Sequence, residues 1–160
     1  LYGGAGFVNT SKKSFWLAVW WGVFPDFIAF GLFFPALVYE YGFHRQQIMR
    51  TEPPTLDIIP QYVHTLYSFS HSLIIFALAF GLVWLFFKRP IFEMLPWGLH
   101  ILMDIPSHTD AFFPTPFLYP LSSFHVSGIA WGTPWFFFSY WGILICIYIF
   151  MLFRRWRANA

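Results

Sequence analysis

Histidines and aspartates recur in the apolar parts of this 160-residue chain at spacings that suit metal binding. His100 and Asp104 are four residues apart, which places both side chains on one face of a helix. Asp26 follows a proline in an earlier apolar stretch, and His71 lies at the start of another. Imidazole nitrogens and carboxylate oxygens suit zinc, iron or manganese. We therefore expect these four residues to bind one divalent metal ion, with zinc as the first candidate.

Two alternatives to metal binding stay open for these residues. His71, His100 and Asp104 can instead form a hydrogen-bonded polar core between helices, as happens in membrane bundles. Asp26 can be the structural partner of a helix break, because Pro25 frees backbone groups that need polar partners. Ionisable groups inside membrane spans are costly and by default suggest function, so the metal interpretation comes first.

The remaining histidines have less specific positions. His108 follows the pair at 100 and 104 closely, and we expect it to be the proton donor to a leaving group, because imidazole exchanges protons near neutral pH. His64 and Asp110 fit positions at the membrane–water interface. His44 and His125 have no partner near them in the sequence and are interpreted as bystanders.

The composition places these polar residues in a membrane protein. Hydrophobic residues make up 58% of the chain and charged residues 10%, against roughly 25% charged in a soluble domain. Four apolar stretches stand out, at 14–39, 72–87, 91–103 and 134–153. The first is interrupted at Pro25-Asp26 and at Pro35, the second should form one helix from near Pro60, and the third is short. We expect an all-α integral membrane protein with four transmembrane helices, forming a single transmembrane domain over residues 1–160.

The basic residues predict the orientation of the four helices. With four spans, one side of the membrane holds seven Lys and Arg residues and the other holds two. The seven are Lys12, Lys13, Lys88, Arg89, Arg154, Arg155 and Arg157, and the two are Arg45 and Arg50. Because cytoplasmic loops carry the excess of Lys and Arg, both termini should be cytoplasmic. The histidines and aspartates then share the outer half of the bundle, a result that does not depend on the metal hypothesis.

A long aromatic segment connects the third and fourth stretches. Residues 111–133 contain no Lys, Arg, Asp or Glu, but three prolines and two glycines, so a regular helix is not expected there. Either the segment is a belt lying in the membrane interface, or it covers a site. Because it begins directly after His108 and Asp110, we expect it to fold back over the outer mouth of the polar cluster.

Several other function classes lack their sequence signals. The chain has no G-x-S-x-G elbow, no H-E-x-x-H and no glycine-rich phosphate loop. The net charge of +2 comes with no separate basic patch, which argues against nucleic acid as a partner. A proton or ion path needs ionisable groups through the full depth of the membrane, and the inner half of these stretches has almost none.

Three short motifs, in order, resemble a known family. They are Phe24-Pro25-Asp26, Ser70-His71-Ser72 and the pair His100 and Asp104. Together, over roughly residues 15–125, the chain resembles the membrane-bound metal-dependent hydrolases of bacterial and archaeal inner membranes. The resemblance implies a metal ion held at Asp26, His71, His100 and Asp104. It also implies location in a prokaryotic inner (plasma) membrane.

Two functions follow as hypotheses. The first is a metal-dependent hydrolase acting on a membrane-associated ester or phosphoester, with His71, His100 and Asp104 as ligands. Asp26 would be a further ligand or the general base, and His108 the proton donor. Its partners would be membrane lipids, among them a lipid-like substrate. The alternative is a non-catalytic membrane subunit of a larger assembly, in which the His/Asp cluster is structural and the partners are other membrane subunits.

Overall fold

The computed structural model describes residues 12–43 and 59–159, and within them the chain is all-helical. The helices are α1 Lys12–Phe30, α2 Phe33–Phe43, α3 Gln61–Ser70, α4 Leu73–Phe87, α5 Leu95–Asp104 and α6 Pro134–Asn159. A 3-10 turn at Phe92–Met94 leads into α5. The described ranges contain no strand, only an isolated bridge between Thr109 and Phe112. The predicted all-α class is confirmed.

One helix of the described residues is long and apolar enough to cross a membrane by itself. This is α6, whose 21 residues Pro134–Arg154 match the fourth apolar stretch. Two bent pairs pass the same test when each pair is taken together, with a bend of 54° between α1 and α2 and of 57° between α3 and α4. The described part of the chain therefore offers one span, or up to three. Helix α5 has only ten residues.

The break in the first apolar stretch lies later than the sequence suggested. Helix α1 continues through Pro25, and the chain bends at Gly31, so the predicted interruption at Pro25-Asp26 is wrong. Glycine is required at the bend, because an added Cβ at Gly31 would lie 2.3 Å from the Phe27 carbonyl oxygen. Pro35 lies in the first turn of α2, directly after this bend, where its missing N–H costs no helical hydrogen bond.

The single helix predicted from near Pro60 to the end of the second apolar stretch is wrong, because the chain forms two helices there. Helix α3 ends before His71 and α4 begins after Ser72. The Ser72 hydroxyl accepts hydrogen bonds of 3.2 Å from the backbone N–H groups of Ile74 and Ile75, which is the standard way to start a helix. His71 therefore lies in a break between two helices.

Helix α1 is central to the packing, because it contacts α3, α5 and the 3-10 turn. Trp21 of α1 stacks on Trp97 of α5 with ring centroids 5.7 Å apart. At the beginning of α1, the Ser14 hydroxyl donates a 2.5 Å hydrogen bond to Glu93 Oε1 in the turn before α5. The two contacts fix α1 against α5 along their length.

Candidate metal centre

Three elements bring the candidate ligands together. Asp26 comes from α1, His71 from the break between α3 and α4, and His100 and Asp104 from α5. One ligand atom each from Asp26, His71 and His100 lies within 4.8 Å of the others, so this group can hold a metal ion. Asp104 is not part of this three-residue group, but its Oδ2 lies within 3.3 Å of Nε2 of both histidines. The four residues predicted from the sequence are neighbours in space.

The distances within the group have the values expected around one small cation. His71 Nε2 lies 3.4 Å from Asp26 Oδ1 and 3.2 Å from Asp104 Oδ2. His100 Nε2 lies 3.6 Å from Asp26 Oδ2 and 3.3 Å from Asp104 Oδ2. Tetrahedral zinc with ligand distances of about 2.0–2.1 Å separates neighbouring ligand atoms by about 3.3–3.4 Å. The donor set and its spacing both fit such an ion.

The other ring nitrogen of each histidine is held by the backbone. His71 Nδ1 donates to the Tyr67 carbonyl at 3.2 Å and lies 3.0 Å from Ser70 Oγ. His100 Nδ1 donates to the Gly22 carbonyl of α1 at 2.8 Å. A carbonyl can only accept, so the proton belongs on Nδ1 and Nε2 carries the lone pair. Metal-binding histidines are oriented by the same type of contact.

The two Nε2 atoms have no hydrogen-bond partner within the described structure. Both are buried, in His71 and in His100. Carboxylate oxygens lie 3.2–3.6 Å away, but these contacts do not meet the geometry of a hydrogen bond. Buried polar atoms without a partner are rare. A nitrogen lone pair and the carboxylate oxygen that it faces repel each other unless a cation lies between them. These unpaired nitrogens favour metal binding over a purely hydrogen-bonded polar core.

Local sequence explains how α1 and the helix break reach α5. Pro25 has no N–H to donate to the carbonyl four residues earlier, which disturbs the hydrogen-bond ladder of α1 beside Gly22. The Gly22 carbonyl accepts from His100 of α5 at 2.8 Å. On the other side, Trp97 Nε1 of α5 donates at 2.7 Å to the Ser70 carbonyl at the end of α3. Both links join α5 to backbone close to the ligands.

Tyr67 belongs to the site, although no motif in the sequence predicted a role for it. Its buried ring stacks on the His71 ring with centroids 3.8 Å apart. Its hydroxyl donates to the Phe113 carbonyl at 3.1 Å and lies 3.3 Å from Thr115 Oγ1. Tyr67 therefore holds the His71 ring and the aromatic segment at the same time. The available signal was its position four residues before His71, one helical turn away.

A cleft of about 570 Å³ lies beside the ligands. Asp26, Asp104, Ser107 and His108 form its polar part. Most of the remaining wall is aromatic, made by Phe27, Phe30, Phe34, Phe112, Phe113 and Trp131. The cleft joins a group that can hold a metal ion to an apolar space large enough for part of a substrate.

His108 lies in the wall of this cleft, next to Asp104. Its Nδ1 is 3.2 Å from the Asp104 carbonyl, to which it donates, and 3.9 Å from Asp104 Oδ1. Nε2 is therefore the atom left to exchange a proton. The position is compatible with the predicted role as proton donor, which stays a prediction.

The remaining candidates lie outside the cluster. His64 stacks on Phe113 with ring centroids 4.8 Å apart. Asp110 Oδ1 is 3.2 Å from His125 Nε2, so His125 has a partner in space, although none lies near it in the sequence. The two residues are far apart in the sequence and meet only because the loop turns back. His44, Arg45 and Arg50 lie outside the described residues.

The segment 111–133 folds back onto the elements that carry the ligands. Three of its backbone N–H groups donate to carbonyls at the end of α5: Gly128 to His108 at 2.7 Å, Ile129 to Pro106 at 2.9 Å and Trp131 to Ser107 at 3.0 Å. Near the helix break, Leu73 N–H donates to the Phe117 carbonyl at 3.0 Å, and the Ser72 hydroxyl donates to the Tyr119 carbonyl. The segment covers the His71 side of the cluster and forms part of the cleft.

Comparisons with protein-family models, curated proteins and solved structures gave no match for this chain. The resemblance to membrane-bound metal-dependent hydrolases therefore stays a prediction from the three motifs. The function has to be inferred from the geometry of the site.

Proposed function

We propose that this chain is a zinc-dependent hydrolase acting on a membrane-associated ester or phosphoester. The observation that supports it most is the pair of buried, unpaired Nε2 atoms that face two carboxylates at one end of an apolar cleft. The ligands would be Asp26, His71, His100 and Asp104. The order of the three sequence motifs favours the same family of hydrolases. Two nitrogen and two oxygen donors suit zinc, while iron and manganese accept the same types of ligand.

In this proposal, the metal ion, Asp26 and His108 have separate roles in the reaction. A bound divalent metal polarises the scissile carbonyl or phosphoryl group and acidifies water. Asp26 is the more exposed carboxylate, with 52% of its side chain accessible against 15% for Asp104, so it is the one able to accept a proton from water in the cleft. His108, held through Nδ1 by the Asp104 carbonyl, donates a proton to the leaving group from Nε2.

We propose four membrane crossings with both termini cytoplasmic, in a prokaryotic inner membrane. The bond between Ser14 and Glu93 supports this, because it brings the start of α1 to the turn that precedes α5. The basic pairs 12–13 and 88–89 lie next to these two points. The excess of Lys and Arg in cytoplasmic loops requires both pairs to lie on the same side of the membrane. Helix α5 and its 3-10 turn, ten and three residues long, rise only about 20 Å, so neighbouring helices must shield that crossing.

A second candidate is a non-catalytic subunit of a membrane assembly. One observation favours it: the apolar window of α6 contains no buried residue, so most of the surface of this helix is available to lipid or to another subunit. In that case the His/Asp cluster would only hold α1, α3 and α5 together.

Metal removal and restoration separate the two candidates. The purified full chain would be assayed on a neutral carboxylic ester and a phosphodiester, as isolated, after chelation, and after zinc is added back. The hydrolase predicts turnover that is lost with the metal and restored by zinc. A protein that binds one zinc tightly and hydrolyses neither substrate would favour the subunit. A protein that binds no metal would contradict the hydrolase.

Cysteine labelling tests the four crossings. In a Cys146→Ser background, His125→Cys should react with an impermeant reagent from outside the cell. Lys88→Cys should react only after the membrane is opened. Reaction of position 125 from the cytoplasmic side alone would contradict the topology.

A further inference from the structure

We infer that the cleft binds the hydrocarbon chain of a membrane lipid whose scissile group is neutral or carries one negative charge. The inference rests on the proposed function and names its substrate class. Hydrolysis of such a group joins the oxygen of water to the carbonyl carbon or phosphorus, breaks the bond to the leaving oxygen, and passes a proton from water to that oxygen.

The shape of the cleft follows from the bend between α1 and α2. The chain turns by 54° after α1, and Phe27, Phe30 and Phe34 line the cleft on both sides of the bend. The volume of about 570 Å³ falls in the range of roughly 300–1,000 Å³ that small-molecule sites occupy. Apart from the polar groups beside the candidate metal, the wall offers mainly aromatic surface. That surface suits a hydrocarbon chain that extends away from the scissile group.

The mouth of the cleft is apolar as well. Val23, Phe27, Phe34 and Trp131 line it and are 53%, 52%, 54% and 58% exposed. Large apolar patches on a water-facing surface are unusual and mark contact with a ligand, a partner or a membrane. In a chain with this composition, the medium that fits this rim is the bilayer itself. A lipid can therefore enter sideways without leaving its apolar surroundings.

The charges of the cleft restrict the scissile group. Among the residues that the structure describes, the lining contains two carboxylates, Asp26 and Asp104, and no Lys or Arg. A divalent metal would bring the sum of these charges to zero. A phosphomonoester dianion would then face the carboxylates with no further cation in the lining, whereas an acyl ester or a phosphodiester has at most one charge to balance. The charges of the lining therefore favour an acyl ester or a phosphodiester over a phosphomonoester.

Photo-crosslinking tests the location of the chain without depending on hydrolysis. The zinc-loaded full chain would be reconstituted with a phosphatidylcholine analogue that carries a diazirine at the end of one acyl chain. Labelled residues should concentrate in 23–34 and 112–131. Val23→Trp, which fills the mouth, should reduce this labelling at least fivefold at unchanged zinc content. Val38→Trp places the same substitution at a similarly exposed position outside the cleft and should leave the labelling unchanged.

A substrate series tests the chemical class. Carboxylic esters with acetyl and with long acyl groups would be compared, together with a phosphodiester and a phosphomonoester of the same long chain. We expect kcat/KM at least tenfold higher for the long ester than for the acetyl ester, and the phosphomonoester to be the poorest of the long-chain substrates. Val23→Trp should remove the advantage of the long ester over the acetyl ester, whereas Val38→Trp, outside the cleft, should keep it.

The outcomes distinguish this inference from the proposed function. Equal rates for short and long esters, or labelling spread evenly over α6 and the cleft, would overturn the inference while the hydrolase stands. A faster phosphomonoester would overturn the charge argument. Labelling confined to the cleft of a zinc-loaded chain that hydrolyses nothing would uphold the lipid site and overturn the hydrolase. The positions labelled by the diazirine lipid in the unsubstituted chain test the inference even if Val23→Trp does not fold.

Discussion

The ligand cluster and helix α6 are both embedded in apolar sequence but are held in different ways. Around the cluster, His71 is fully buried and its ring is fixed by Tyr67 and by the backbone. Helix α6 has an apolar window that is 0% buried, and the side-chain hydrogen bond that ties it to the other described helices runs from the Tyr140 hydroxyl to the Met103 carbonyl, at 3.1 Å. The protein itself sets the geometry of the cluster, whereas the described part of the chain surrounds little of α6.

This difference predicts where substitutions matter. Changes around the cluster should alter metal affinity, because the ligand geometry depends on contacts between several elements. Changes on α6 should leave metal affinity unchanged and act, if at all, on stability in the membrane. The following substitutions test the contrast in order of decreasing expected effect.

Loss of a ligand should have the largest effect. We expect His71→Ala to lower zinc affinity by more than about 100-fold, because even residues that only orient a ligand change affinity by about 10–100-fold. His64→Ala is the matched control, a histidine of the same helix region that stacks on Phe113 and is not part of the cluster. Competition with a chromophoric chelator measures both. Equal affinities for the two variants would contradict the site.

The segment 111–133 offers a matched pair of glycines. An added Cβ at Gly128 would lie 2.3 Å from the Pro106 carbonyl oxygen, whereas at Gly132 it would meet nothing within 4 Å. Gly128→Ala should cost about 1–3 kcal/mol, which corresponds to roughly 2–4 °C in Tm for each kcal/mol. It should also weaken zinc binding, because the segment contacts the end of α5. Gly132→Ala should change neither quantity. Similar losses in both variants would mean that the segment is not held against the site.

The same substitution at two tyrosines compares the regions directly. Tyr67→Phe removes the hydroxyl that ties the His71 neighbourhood to Phe113, and should lower zinc affinity by about tenfold, the lower end of the effect of an orienting residue. Tyr140→Phe removes the bond from α6, and the Met103 carbonyl keeps its bond from Ser107. We expect the zinc affinity of Tyr140→Phe to stay within twofold of that of the unsubstituted chain. A larger effect at Tyr140 than at Tyr67 would reverse the comparison.

The smallest effect should be a loss of stability at the helix break. Ser72→Ala removes the N-cap of α4 and should lower the free energy of unfolding by about 1 kcal/mol. Ser68→Ala is the control, because its hydroxyl bonds only to the His64 carbonyl within its own helix. Thermal melts of the zinc-free proteins compare the two. A Ser68→Ala loss as large as that of Ser72→Ala would mean that the break does not depend on the cap.

The candidate site could be predicted from sequence because residue type and spacing carried the information. The pair at 100 and 104 fixed one helix face, and the Pro-Asp and Ser-His-Ser motifs supplied the rest. The break at His71 was missed, although Ser70 and Ser72 flank it, because the apolar run to 87 favoured one helix. The bend at Gly31 depends on a close approach to the backbone, which no local pattern reveals.

The contacts made by the irregular segment 111–133 could not be predicted from the sequence. Asp110 and His125 are 15 residues apart and meet through the turn of the loop, and Tyr67 meets Phe113 in the same way. Neither contact follows from helix or strand periodicity. What the composition did predict was that the uncharged segment would contact protein or lipid rather than water.

X-ray absorption spectroscopy of the zinc-loaded chain tests the central claim most directly. We predict one zinc per chain after dialysis, with four nitrogen or oxygen ligands at about 2.0–2.2 Å, two of them imidazoles. In His100→Ala the zinc should be lost or the number of imidazoles should fall to one. Absence of retained zinc would contradict the account, as would a sulfur ligand from Cys146 or a spectrum unchanged by His100→Ala.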